Sequence, residues 1–314
     1  MCIRDRKEVD LNGSGSVIST GWETMLEGLI SSGFEITGTW PMRTELANKV
    51  IAIAASVLAS SIVLVCRPRP SDAPLATRRQ FVDALRDELP EALAELKKAN
   101  IAPVDLAQAS IGPGMAVFSR YSKVLEADGS PMTVRTALGL INQALDEILI
   151  EWEGEFDRDT RWAITWYEQH GHNQQKYDEA LKLARARDVG IDGLQDAGLI
   201  EVMPGKVRLL KRDELDPDWD PATDKRLTVW EVTQYLIRAL EKDGESGAAA
   251  LAHKVGALAD TARDLAYRLY QICERKKWAQ EALAYNSLVI AWPEIKKLSG
   301  TVTDKAPAQQ DLAY

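Results

Sequence analysis

The amino-acid sequence predicts a mainly α-helical chain with a small β part, and three observations carry that prediction. Beyond residue 70, apolar residues recur every three or four positions in long stripes, the spacing of helices that bury one face. Before it, two runs rich in β-branched and aromatic residues read as strands. Between them, Arg67-Pro68-Arg69-Pro70-Ser71-Asp72-Ala73-Pro74 sets three prolines in close succession. Proline lacks a backbone donor and disfavours helix in the residue before it, so this stretch reads as an extended linker dividing residues 1–70 from 71–314. A chain of 314 residues suits about two domains.

Composition narrows the class. With 46% hydrophobic and 27% charged residues, the chain has enough apolar content for packed cores, which excludes disorder and fibres. Its formal charge of -9 argues against gripping nucleic acid by bulk positive charge and leaves room only for a local basic surface. Residues 1–70 balance seven basic against seven acidic side chains, so the acidity lies beyond them. Cys2, Cys66 and Cys273 are too widely spaced for a CxxC zinc pattern and too few for a disulfide framework; a reducing cytoplasm is expected and no metal site is implied.

Taken in order, Met1 to Arg6 resembles the read-through that heads truncated gene models and is set aside. Asn12-Gly13-Ser14-Gly15-Ser16 is a flexible loop, since no strand precedes it and no GxGxxG or GKS/T completes it. Trp22, Met25, Leu26, Leu29 and Ile30 recur at helical spacing, with Gly33 placed as a stop. Phe34 to Trp40 then reads as a strand broken by Pro41, and Ser61 to Cys66 as a second, buried one. The almost uncharged run Val50 to Cys66 holds 17 residues, at the lower limit for a bilayer core of about 30 Å, and contains three serines. It is read as a helix or loop feeding a buried strand, with no membrane span.

In the second part, Phe81, Leu85, Leu89, Leu93 and Leu96 form one helical stripe over residues 76–99, with Pro90 kinking it or opening a second helix. Val134, Leu138, Ile141, Leu145, Ile148 and Trp152 form another, and Ala262, Leu265, Leu269, Ile272 and Cys273 a third. Ile111-Gly112-Pro113-Gly114-Met115 reads as a turn. Trp152, Trp162, Trp166, Trp230, Trp278 and Trp292 are expected in the core or where helices meet. Residues 160–210 follow the order helix, helix, short helix, hairpin, which resembles a winged helix. Its third helix offers Asp192, Gln195 and Asp196 and no base, which repels phosphate, so a wing contact through Lys206 and Arg208, or a purely structural or partner-binding role, is expected instead.

Other chemistry fails on its own requirements. Asp216, Asp218, Asp220 and Asp224 match calcium-loop spacing, but Pro221 stands where a glycine must turn and Leu227 where a bidentate glutamate is needed. His170 and His172 lack a third ligand, and no GxSxG elbow supports a serine hydrolase.

Three strings together resemble one family: Gly21-Trp22-Glu23-Thr24-Met25-Leu26, Thr39-Trp40-Pro41-Met42-Arg43-Thr44-Glu45 and Leu58-Ala59-Ser60-Ser61-Ile62-Val63-Leu64-Val65-Cys66-Arg67-Pro68-Arg69. They look like the closing stretch of the adenine-specific DNA methylases that carry an N-terminal domain of unknown function and occur in prokaryotic anti-phage gene clusters. Ile111-Gly112-Pro113-Gly114-Met115-Ala116, Phe156-Asp157-Arg158-Asp159-Thr160-Arg161-Trp162-Ala163 and Ala266-Tyr267-Arg268-Leu269-Tyr270 also look like that family's C-terminal region, so the resemblance covers nearly everything after residue 10.

The resemblance implies that residues 1–70 are the truncated edge of a Rossmann-like methyltransferase sheet, followed by an α-helical domain with a winged-helix-like segment. The implied activity is methylation of adenine N6 in DNA from S-adenosylmethionine, in phage defence. The glycine-rich cofactor loop and the Asp-Pro-Pro-Tyr-type loop on which that chemistry depends are absent from these 314 residues. No catalytic residue transfers, the cofactor site lies mostly in a missing N-terminal catalytic half, and the chain alone is expected to be inactive. In related amino-methylases the loop after the sixth strand walls the target-base pocket. That loop would begin here at Trp40 and include Pro41, Arg43, Thr44 and Glu45, with the ring stacking on an extruded base and Arg43 holding a phosphate; the alternative is a core tryptophan with a surface Arg43–Glu45 pair. The helical part would recognise DNA, dock on the catalytic half or assemble with other defence proteins. The competing expectation is a non-catalytic α-helical interaction module.

Overall fold

A computed structural model describes residues 20–43 and 60–301 of the chain. Helices dominate it, and the strands form three small sheets. The chain folds into two compact units, Met1–Gly154 with Tyr270–Val289, and Glu155–Leu269 with Ile290–Tyr314. The proline-rich stretch near Pro70 falls inside the first.

In the first unit, helix α1 (Thr20–Ser31) ends at Gly33, whose φ of +83° is a conformation that glycine adopts without penalty. Strand β1 (Phe34–Arg43) and strand β2 (Ser60–Pro68) pair antiparallel, with Ile36 opposite Cys66, Trp40 opposite Val63, and a bulge between Ile36 and Gly38. The strand therefore runs past Pro41, where a break was expected. A two-stranded ribbon consists of edges, and edges tolerate proline.

Strand β3 (Leu75–Thr77) leads directly into α2 (Arg78–Lys98), where Thr77 and Gln80 close a capping box. Pro90 lies inside this single helix, which buries Phe81, Leu85, Leu89 and Leu93. Next come α3 (Pro103–Ser119), β4 (Lys123–Leu125), which pairs parallel with β3, and α4 (Val134–Glu151).

The expected turn at Ile111 to Met115 is instead the middle of α3. Its glycines serve close packing: a Cβ on Gly112 would lie 1.9 Å from the Thr39 side chain, and one on Gly114 would lie 2.6 Å from Ile141. The helix backbone thus presses against β1 on one side and α4 on the other, and burial on both sides outweighs the low helix propensity of Gly-Pro-Gly. Arg69 ties the ends together, donating to the Ile30 carbonyl (2.7 Å) and the Tyr121 carbonyl (2.7 Å), while Ile36 N–H donates to Ser119 Oγ (2.8 Å).

In the second unit, Asp157 caps α5 (Arg158–His170) through Thr160 N–H (2.7 Å) and also accepts Val229 N–H (2.9 Å) from the start of α8 (Val229–Val255). One carboxylate thus organises two helix N-termini. Between these helices lie β5 (Gln175–Lys176), α6 (Tyr177–Arg187), α7 (Ile191–Asp196), β6 (Ile200–Met203) and β7 (Lys206–Leu209), with antiparallel sheet order β5-β7-β6. Trp162, Trp166, Tyr167 and Trp230 fill the core. Helix α8 is interrupted at Gly244 (φ +69°); α9 (Leu258–Lys276) and α10 (Ala279–Ser299) contribute residues to both units.

Among the described residues no helix is long and apolar enough to cross a membrane, and Ser60 to Cys66 of the apolar run is strand. No cluster of potential metal ligands occurs among them either. The aspartates of the calcium-like run instead fold their own loop: Asp216, Asp220 and Asp224 accept the backbone N–H groups of Asp218, Ala222 and Arg226.

Candidate functional site

The β1–β2 hairpin has two unlike faces. On one, Ile36 is buried (2% exposed) and Thr39 Oγ1 reaches the Ala109 carbonyl of α3 (3.4 Å). On the other, Trp40 is 68% exposed, its cross-strand neighbour Val63 46%, and Val65 38%. A period-two strand that buries one face should set polar residues on the other if water covers it. Here the outward residues are aromatic and β-branched, and each large apolar side chain left in water forgoes on the order of 1.5–3 kcal/mol of burial. Trp40 is therefore not a core residue. Pro41 and Arg43 lie on β1, their backbones opposite Ile62 and Ser60, rather than in a loop. Thr44 and Glu45 lie outside the described residues.

The two β6–β7 hairpin residues expected to contact DNA separate. Arg208 is 16% exposed and held by Glu201 (2.6 Å) and by Glu214 through both guanidinium nitrogens. Its hydrogen bonds to Glu214 push the guanidinium pKa up and hold the Glu214 carboxyl below its usual range. With two carboxylates already on it, Arg208 has no charge to offer a phosphate. Lys206 is exposed, 3.5 Å from Gln174 Oε1, and directly opposite Lys176 on β5. Two like charges in register disfavour the pairing, which singles out Lys176 as a candidate the sequence reading missed; a two-residue strand carries no readable periodicity. In α7 the Gly193 face lies under the Arg226 guanidinium, which pairs with Asp159 at 2.8 and 3.0 Å.

The second unit also keeps unusual buried polar groups. Glu231 is 4% exposed and its pKa is pushed up to about 9, first by burial and then by Asp224, so it is a neutral acid at pH 7. Trp162 and Trp166 stack at 5.1 Å (14° between planes), and neither buried indole N–H has an acceptor. A buried donor left unmade costs about 1–3 kcal/mol, and native cores hold few of them. His170 packs edge-on against Trp166 (4.7 Å) and His172, in the turn that follows α5, against Tyr167 (5.4 Å).

Residues 157–312 match the model of a family described as a domain of unknown function (DUF8807), the match beginning at the Asp157 cap of α5. No curated protein and no solved structure matches the chain.

Proposed function

We propose that the chain is the C-terminal part of an S-adenosylmethionine-dependent DNA adenine-N6 methyltransferase of the anti-phage-associated kind, the α1–β1–β2 segment forming the border of its Rossmann-like sheet. The observation that carries this reading is the hairpin with one face packed under a helix and the other apolar and bare. Doubly wound sheets are covered on both faces and commonly end in an antiparallel strand, and a lone two-stranded ribbon is marginal in water. A catalytic half that pairs with a free edge of the hairpin and lays a helix across the bare face would supply the missing cover.

The described residues do not seat the cofactor: the bare face offers Trp40, Val63 and Val65, with no glycine turn at a strand's carboxyl end. No catalytic step is therefore assigned to this chain. Its own contribution is Trp40, whose exposed ring can stack on an extruded base at a worth of about 1–3 kcal/mol.

The order α5, β5, α6, α7, β6, β7 with sheet order β5-β7-β6 supports a winged-helix-like reading of residues 160–210. Its DNA contact would run through Lys206 and Lys176. The neutralised Arg208 and the acidic α7 favour a second reading of this segment, a docking module for the catalytic half or for other defence proteins.

Sequencing the genomic DNA 5′ of codon 1 tests the proposal. A reading frame that continues upstream into a glycine-rich loop and an Asp-Pro-Pro-Tyr-type loop is the expected result. A start codon at Met1 preceded by a ribosome-binding site overturns it.

A further inference from the structure

The two outer edges of the β1–β2 hairpin differ. On β1, Pro41 has no backbone N–H to offer, and the bulge between Ile36 and Gly38 breaks the regular ladder. That strand also lies against α3, through the approach of Gly112 to Thr39 and through Ser119 Oγ, which accepts Ile36 N–H. Between Ser60 and Arg67, β2 carries neither proline nor bulge, and it holds no charged residue from Ser60 to Cys66. Among the described residues no strand pairs with its outer edge. Natural sheets either pair an edge of this kind or interrupt it with proline, lysine or a bulge.

The sequence of β2 is complementary to itself. Antiparallel pairing with a second copy about Leu64 sets Val63 opposite Val65 and Ile62 opposite Cys66, and residues directly opposite share a face. The exposed Val63 (46%) and Val65 (38%) of both copies then form one stripe of four valines. Arg67, which has Glu35 opposite it within the hairpin, falls beside the uncharged Ser61 of the second copy. Centring the pairing on Val63 or Val65 instead leaves a valine opposite Ser61 or Arg67, and centring it on Arg67 sets like charges face to face.

We propose that β2 is an interaction edge through which two copies of this chain associate, in a four-stranded antiparallel sheet of order β1-β2-β2-β1. The backbone ladder supplies the attraction and the valine stripe fixes the register. The inference does not rest on the methyltransferase reading; a catalytic half pairing with β2 would compete for the same edge.

Sedimentation velocity of the full chain tests it. The expected result is a monomer–dimer equilibrium within roughly 5 to 500 µM, the range of a small interface. Val63→Lys with Val65→Lys sets lysine opposite lysine and weakens the dimer more than about tenfold, as does Val63→Glu with Val65→Glu. Both valines are exposed, so these variants keep the fold, which circular dichroism checks. An equal mixture of the two variants sets lysine opposite glutamate at each former valine pair and restores the dimer. A chain that stays monomeric throughout that range, a dimer that the lysine variant leaves unchanged, or a mixture that remains monomeric overturns the inference.

Discussion

The hairpin of the first unit and the three-stranded sheet of the second are both small, antiparallel and made largely of edges, yet they treat their outer faces in opposite ways. In the second sheet Val207 and Leu209 point inward and are fully buried, while the outer side carries Lys206 and an Arg208 held by two glutamates. In the hairpin the outer side carries Trp40, Val63 and Val65. Charge facing water closes a sheet; apolar surface facing water leaves it open to a further layer. The contrast teaches that the second sheet is finished by its own side chains, whereas the first, among the described residues, leaves an apolar face without such a finish.

The comparison breaks most sharply on stability. Trp162→Ala empties a fully buried site in the second unit and should cost about 3–5 kcal/mol. Trp40→Ala should fall within about 0.5 kcal/mol, as substitutions at exposed sites do. Denaturant unfolding of both variants checks this, and a Trp40 cost near that of Trp162 would mean that the hairpin face is already covered.

A second effect distinguishes buried from exposed charge. Glu231 binds its proton up to about pH 9 in the folded chain, against a usual value of 4.5. The folded state therefore holds a proton that the unfolded chain releases, and this contribution is full below about pH 4.5 and is lost as pH rises towards 9. Glu231→Gln should flatten the decline of Tm between pH 5 and 9 and stabilise most at the alkaline end. A Tm profile that keeps its slope in the variant would place the titrating group elsewhere.

The smallest effect sharpens the three-stranded sheet. Reversing Lys176 and Lys206 to glutamate should weaken duplex binding and flatten its salt dependence by about two phosphate contacts, whereas Arg208→Ala should leave that slope unchanged. Fluorescence anisotropy across a salt series separates the two. Equal slopes in all three proteins would remove DNA from the β6–β7 hairpin and favour its use as a docking module.

Much of the architecture was legible from local chemistry. The α2 and α4 stripes, the Gly33 stop and the β6–β7 hairpin around Gly205 each follow from side-chain spacing or a backbone preference that acts within a few residues. The site was legible only in part. Trp40 was singled out, but whether it was core or surface depended on which face of β1 meets α3, and Lys176 left no pattern in the chain.

What the sequence by itself determined is thus the helical class, the strand pair before Pro70 and the order of elements in residues 160–210, because periodicity and capping are short-range. Tertiary structure alone decided the rest. Gly112 and Gly114 permit either a turn or a close approach, and only the positions of Thr39 and Ile141 select the second. Arg208 is a phosphate ligand or a structural cation according to where Glu201 and Glu214 lie, and Trp40 is core or surface according to which face of the hairpin is covered. In each case the residue's chemistry allows both outcomes, and the choice is made by neighbours distant in sequence or brought close only by the fold.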